Sequence, residues 1–327
     1  MYMPRSLTVG PEYLVKWGLY EPMLRYILKR IVAALLTIWM IMTLTFVLMN
    51  AIPGDPFSSE KMSDPVLIEA MEEKYGLNKP YWERYVTYIK DYLHGDFGIS
   101  FQKKGLTTNE IISAGFPFSL RIGIGASILV VVLGVLFGIV AALRQNRFVD
   151  RVLMLLSTLG ATIPSFVFAT IFLLVFSKML GWVPAYGVDS WKGYIGPIVV
   201  SSLFSLAFVV RLMRTSMLDV LNQDYIRTAR AKGISEFKVL GKHAMRNAIL
   251  PVVTYVGPMF AALITGSFVV EKVFGIPGIG NLFTNSILNR DYTMIMGITV
   301  FFAVLLVICV LIVDILYVLV DPRIKYE

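Results

Sequence analysis

Asp224-Tyr225-Ile226-Arg227-Thr228-Ala229-Arg230-Ala231-Lys232-Gly233 lies inside a basic stretch, residues 211–246, with a long apolar run on either side. That stretch carries eight Lys and Arg against three acids, Asp219, Asp224 and Glu236. A compact polar element between two runs of membrane-crossing length reads as an ordered loop of a multi-pass membrane protein. Asp224 or Asn222 can cap a helix start, and Gly233 suits the left-handed residue that ends one. Tyr225, Thr228, Ala229 and Lys232 would then share one face by the i, i+3, i+4 rule. Thr228, Ala229 and Ala231 are small enough for another surface to come close, and Tyr225 offers an anchor with a polar tip. A second helix is expected from Ser235. Lys238, Lys242 and Arg246 form its basic stripe, with Phe237, Leu240, Ala244 and Ala248 opposite.

Composition sets the class. Hydrophobic residues make up 57% and charged residues 16%, and the mean hydropathy is +0.71; a soluble globular chain carries about 25% charged residues. Six apolar runs approach the roughly 20 residues that cross a bilayer: 26–49, 117–143, 152–176, 194–210, 249–270 and 292–320. The expected fold class is therefore an all-α integral membrane protein with about six transmembrane helices. The first run exceeds the roughly 7–15 apolar residues of a cleaved signal peptide and is expected to persist as a span. Lys and Arg gather before span one (Arg5, Lys16, Arg25, Lys29, Arg30), after span two (Arg144, Arg147, Arg151) and in 211–246. Both termini are thus expected in the cytoplasm. The net charge of +8 reflects that topology; nucleic-acid binding would need a basic soluble face with base-reading residues, which the sequence lacks. The single Cys309 falls inside span six, which excludes a disulfide framework. His94 and His243 fall on opposite sides, against a His-based metal site.

The chain divides into a cytoplasmic extension, 1–24, where Trp17 and Tyr20 can sit at the headgroups, and span one, 25–50. An external helical segment follows at 51–116, opened by the turn Ile52-Pro53-Gly54-Asp55-Pro56. A core of spans two to six covers 117–320, with the loop 211–248 inside it, and 321–327 form a cytoplasmic tail. Two short external helices are expected, one from Asp64-Pro65 to Gly76 and one from Pro80 to Gly95. Tyr81, Tyr85, Ile89 and Tyr92 or Leu93 form the apolar stripe of the second, a pattern for packing on the spans. Gly134-x-x-x-Gly138 and Gly123-x-Gly125 allow close helix approach within span two. Pro164 in span three and Pro258 in span five remove a backbone hydrogen bond each and are candidate hinges. Asp314 is the one acid expected deep in a span, and Arg211 is its candidate ion-pair partner.

The loop resembles that of ABC-importer permeases, whose loose pattern is Glu-Ala-Ala, three residues, Gly, and later Ile-x-Leu-Pro. Gly233 takes the Gly position and Ala229 matches the triplet, while Ile249-Leu250-Pro251 resembles the closing element at a longer spacing. The form here, with His243-Ala244-Met245-Arg246-Asn247-Ala248 following, is similar to the dipeptide/oligopeptide (and nickel) permease branch, in its first (B-type) subunit. Other stretches agree with that branch. They are Arg25-Tyr26-Ile27-Leu28-Lys29-Arg30, Pro53-Gly54-Asp55-Pro56, Gly95-Asp96-Phe97-Gly98, Glu271-Lys272-Val273-Phe274-Gly275-Ile276-Pro277-Gly278-Ile279-Gly280, Arg290-Asp291-Tyr292 and Asp321-Pro322-Arg323. The resemblance covers the chain from about Leu24 onward.

The resemblance implies a type I ABC importer permease fold in a prokaryotic cytoplasmic (inner) membrane. It implies four further proteins: a second homologous permease, two ABC ATPase subunits and an extracytoplasmic binding protein that delivers peptides. Asp224, Tyr225, Arg227, Thr228, Ala229, Arg230, Ala231, Lys232 and Gly233 would form the ATPase-coupling helix. ATP and Mg would lie on the ATPases, leaving this chain without a cofactor and without a catalytic role. The nearest approach to a phosphate loop, Gly233 through Gly241-Lys242-His243, has the wrong spacing and His in place of Ser or Thr. Nickel chelates and oligosaccharides are alternative cargoes, and the sequence names no residue of the substrate pathway. A secondary transporter driven by an ion gradient is the competing class; sparse intramembrane charge and the lack of an evident internal repeat disfavour it.

Overall fold

A computed structural model describes residues 20–51, 73, 76–103 and 105–320, the side chains of 20–26 and 313–320 aside. Its helices are α1 (Tyr20–Ala51), α2 (Tyr81–Leu93), α3 (Thr108–Leu143), α4 (Phe148–Thr162), α5 (Ser165–Phe172), α6 (Ile195–Leu221) and α7 (Asp224–Ala231). They continue as α8 (Glu236–Lys238), α9 (Met245–Ala248), α10 (Leu250–Ile264), α11 (Phe268–Val273), α12 (Ile279–Leu288) and α13 (Tyr292–Val320). π-Helical turns at Leu173–Met179 and Val239–Ala244 extend α5 and join α8 to α9. Among the described residues no strand occurs beyond an isolated bridge, Ile99 to Thr107.

Five helices are long and apolar enough to cross a bilayer, and α4 with α5 and its π-turn makes a sixth if the bent pair counts as one span. The last span, expected at 292–320, is α13 residue for residue. Two of the expected boundaries move and one span is broken. Span two begins at Thr108 rather than 117, because Thr107 and Glu110 form a capping box that starts α3 early and carries Pro117 within the helix. Span four does not end at 210; α6 runs on to Leu221. Span three is broken, not merely kinked: α4 and α5 meet at 109° across Ile163-Pro164. Proline has no N–H to continue the helix and disfavours a helical residue before it.

α3 and α6 form the central pair, and small residues let them close. A Cβ at Gly134 would stand 2.7 Å from Val209 Cγ1, and one at Gly138 would stand 2.5 Å from Met213 Cβ. Gly123 faces the backbone of α10 in the same way, 2.6 Å from Ile264 Cα. The glycine pattern of span two therefore serves packing.

Between α1 and α3, the helix expected from Asp64-Pro65 lies outside the described residues. The second expected helix is α2, with Pro80 before it and Gly95 beyond it at φ +78°. Its packed stripe is Tyr85, Tyr88, Ile89 and Tyr92, lying against Phe46 of α1, Phe97 and Met296; Leu93 points away and is exposed.

Candidate functional site

α7 forms where expected, with two corrections. Neither Asp224 nor Asn222 caps it: Gln223 holds the cap position by backbone alone, Asp224 lies in the first turn and Asn222 closes α6. A carboxylate in the first turn still complements the helix dipole. Gly233 ends the helix at φ +71°, the left-handed conformation that a side chain would strain. The inward face is also different. Ile226 and Ala229 are the buried positions, packed in one cluster with Met213, Met217, Val239 and Ala244. Ala229 therefore faces the chain's own core, not an outside surface.

What α7 presents outward is polar. Asp224, Tyr225, Arg227, Thr228, Arg230, Ala231 and Lys232 are all exposed. Arg227 lies 3.6 Å from Asp224, and Thr228 Oγ1 donates to the Asp224 carbonyl at 3.0 Å. Tyr225 is tied down at its tip, its hydroxyl accepting from Asn247 Nδ2 at 2.8 Å. Arg230 holds Glu236 through Nη2–Oε1 at 2.6 Å, linking α7 to the helical stretch behind it. That hydrogen bond draws the Glu236 carboxyl below the ordinary glutamate range. On the second helix Lys238, Lys242 and Arg246 are exposed as expected and Ala244 and Ala248 are buried. Phe237 departs from expectation: it is 87% exposed, because Val239 takes the inward position instead.

α7 continues α6 after a two-residue turn, so α6 carries it. An ion pair absent from the sequence reading fixes α6 at that end. Arg214 donates from Nε to Asp150 Oδ1 at 2.7 Å and from Nη2 to Oδ2 at 2.8 Å. The Asn146 amide donates to the same carboxylate at 2.8 Å. Asp150, near the start of α4, is buried. A two-pronged arginine–carboxylate contact fixes orientation as well as distance. The only sequence signal is a run of helical residues ending in charges whose partner lies 64 positions away. The expected partner of Arg211, Asp314, lies among the side chains outside the description.

The second feature is a pair of interrupted spans. Pro164 sits in the α4–α5 break; Pro258 lies within the continuous helix α10, and span five breaks instead at Gly266, φ +84°. Both breaks open on one cavity of about 350 Å³, bordered by Thr162, Pro164, Ser165, Ser201, Phe204 and Ser267. Ser201 Oγ is buried there with no hydrogen-bond partner. Irregular backbone at membrane depth is tolerated where it lines such a space.

Glu271, expected in a loop, is 1% exposed and shows that Asp314 is not the one acid to consider. Its carboxylate accepts from Ser119 Oγ at 2.7 Å and from the Asn281 amide at 3.0 Å. Ser119 in turn accepts from the Ile279 amide at 2.9 Å. A Cβ at Gly278 would collide with that carboxylate and one at Gly280 would stand 3.0 Å from it, while Gly275 is set by its own φ of +64°. The result is a knot that fastens α11 and α12 to α3. Asp291 does similar work, accepting from Ser100 Oγ, from the Phe101 amide at 3.1 Å and from the Met294 amide at 3.2 Å. It joins the segment before α3 to the start of α13.

Known proteins are similar to this chain in sequence and in fold. Residues 134–326 match the family described as binding-protein-dependent transport system inner membrane component, and residues 23–123 match its N-terminal counterpart. The chain is 44% identical over 309 residues to the oligopeptide transport system permease protein OppB of Haemophilus influenzae, covering 93% of this chain and 100% of that protein. It is 44% identical over 303 residues to the dipeptide transport system permease protein DppB of Bacillus subtilis, covering 93% and 98%. The OppB protein of Salmonella typhimurium is 41% identical over 309 residues, with 93% and 100% covered. In three dimensions the chain is similar to an inward-facing MetNI methionine ABC transporter, with a TM-score of 0.52, 17% identity and coverage of 64% and 96%. At that identity the likeness concerns the fold alone.

Proposed function

Since the chain belongs to the family of binding-protein-dependent transport system inner membrane components, we propose that it is one of two permease subunits in an ATP-driven importer of di- and oligopeptides. The observation that carries this reading is α7: a short helix pinned by Ile226 and Ala229 and exposing a polar outer face. Such a face suits insertion into another protein. The partners are a second, homologous permease, two ABC ATPases below α7 and a binding protein on the far side. ATP and Mg act on the ATPases. Lys and Arg distribution supports a cytoplasmic position for both termini and α7.

The chemistry of this chain is mechanical. ATPase closure displaces α7, and α6 passes the displacement into the spans because Arg214–Asp150 holds α6 to α4. Access changes where the backbone is interrupted, at Pro164 and Gly266, next to the cavity. A hydroxyl such as that of Ser201 beside those breaks can hydrogen-bond a peptide chain without reading its side chains.

The test uses the assembled transporter in liposomes, with both permeases, both ATPases and the binding protein. Thr228→Trp adds bulk to the outer face and leaves the Ile226–Ala229 face intact. It should abolish ATP-driven peptide uptake while ATP hydrolysis continues. Unchanged uptake would overturn the assignment of α7. Ion-driven transport by this chain alone, abolished by Asp314→Asn, would establish the secondary-transporter reading instead.

A further inference from the structure

α2 has a wider apolar surface than its packing uses. Tyr85, Tyr88 and Tyr92 fill the contact with α1 and α13. A second stripe, Trp82, Val86 and Leu93 at spacings of four and seven, remains 69%, 55% and 76% exposed, with Ile89 between them half-buried. Lys90 and Thr87 lie on the other edge, exposed as polar residues should be. An isolated exposed apolar residue needs no explanation, but a row with a tryptophan at one end does.

The depth of α2 supplies one. It touches α1 at three levels: Arg84 Nη2 donates to Asn50 Oδ1 at 2.6 Å; the Phe46 ring meets those of Tyr81, Tyr85 and Tyr88 at 5.1, 5.3 and 5.4 Å; and the Tyr85 hydroxyl meets Thr43 Oγ1 at 2.7 Å. Lys29 and Arg30 mark the opposite end of the apolar part of α1. With a rise of about 1.5 Å per residue, Thr43 stands roughly 20 Å and Asn50 roughly 30 Å from Arg30. The hydrocarbon layer is about 30 Å thick. Thr43 is therefore inside it and Asn50 at its edge, so α2 lies alongside the last turns of a span. At the same level α1 exposes Leu44, Val47 and Leu48, which continue the apolar surface of α2.

We propose that α2 is an interfacial helix of the leaflet opposite Lys29–Arg30, with Trp82, Val86 and Leu93 in contact with lipid. Trp82 sits at the headgroup boundary, where its amphipathic ring is favoured. The Arg84–Asn50 pair lies at that same boundary, and Lys90 points to water. This segment is then a membrane-bound collar on α1 and α13 and not a soluble lid.

The experiment places single nitroxide-labelled cysteines at Trp82, Val86, Leu93, Thr87 and Lys90 in a Cys309→Ala background, in the assembled transporter in liposomes. Accessibility to oxygen, which concentrates in lipid, is compared with accessibility to a water-soluble nickel chelate. The oxygen-to-nickel ratio should be several-fold higher at Trp82, Val86 and Leu93 than at Thr87 and Lys90. Equal ratios at all five sites would overturn the proposal. High nickel accessibility at Trp82, Val86 and Leu93 that falls only when binding protein is added would also overturn it, and would assign the stripe to protein docking. If the Trp82 variant fails to assemble, Val86 and Leu93 carry the comparison. Neither overturning result bears on peptide import.

Discussion

Asp150 and Arg214 show how much rests on single side chains. Asp150 is buried and Arg214 only partly so, and removing one member leaves the other without its partner, at a cost of about 1–3 kcal/mol. Asp150→Ala should therefore lower the thermal stability of the purified complex, and the exchange Asp150→Arg with Arg214→Asp should restore part of it. Stability equal to wild type in Asp150→Ala would mean that water already solvates the pair. Gly138 answers to sterics instead. Gly138→Val places branched carbons where Met213 Cβ already lies 2.5 Å from a bare Cβ, and overpacking of this sort costs roughly 1–3 kcal/mol. Loss of assembled complex on size-exclusion chromatography is the expected readout, with Gly241→Val as a control at a position with open space around it.

At the scale of the element, α7 depends on its neighbours for orientation. The Arg230–Glu236 contact is half-exposed, with side-chain exposures of 42% and 55%, and surface pairs contribute about 0.2–1 kcal/mol. The folded Glu236 carboxyl is held below its unfolded value. Its stabilisation is thus present at neutral pH, above the unfolded glutamate value, and is lost as pH falls through the folded one. Hydrogen-exchange protection factors in 228–236, taken relative to the intrinsic exchange rate at each pH, should fall on acidification in the wild type and be less pH-sensitive in Glu236→Gln. The sequence made α7 legible as a helix ended by Gly233 but misread its faces. Small size marked Ala229 as a contact for another protein; in fact its smallness lets α7 lie against Val239 and Ala244. Periodicity found α13 because uniform apolarity has a clear beginning and end. It could not separate a kink from a 109° break at Pro164, since both leave the same composition. Glu271 escaped notice because its partners, Ser119 and the Asn281 amide, are assembled only by the fold.

For the whole molecule, the expectation of about six spans stands, with five spans by length and apolarity and a sixth if the bent pair counts as one. Peptide uptake should require the second permease, both ATPases and the binding protein, and omission of any one in reconstituted vesicles should reduce uptake to background. Residual uptake without ATPase would contradict a motor-driven subunit.

The close seam between α3 and α6 has a mechanical corollary. Two rods with Met213 and Val209 seated on bare glycine backbone cannot slide or roll past each other without separating. On the proposed coupling role of α7, load arriving there would turn this pair as one stiff beam. The compliance of the machine is then left to the interrupted segments around Pro164 and Gly266, so a continuous helix engineered through either joint would jam the cycle while leaving the beam intact.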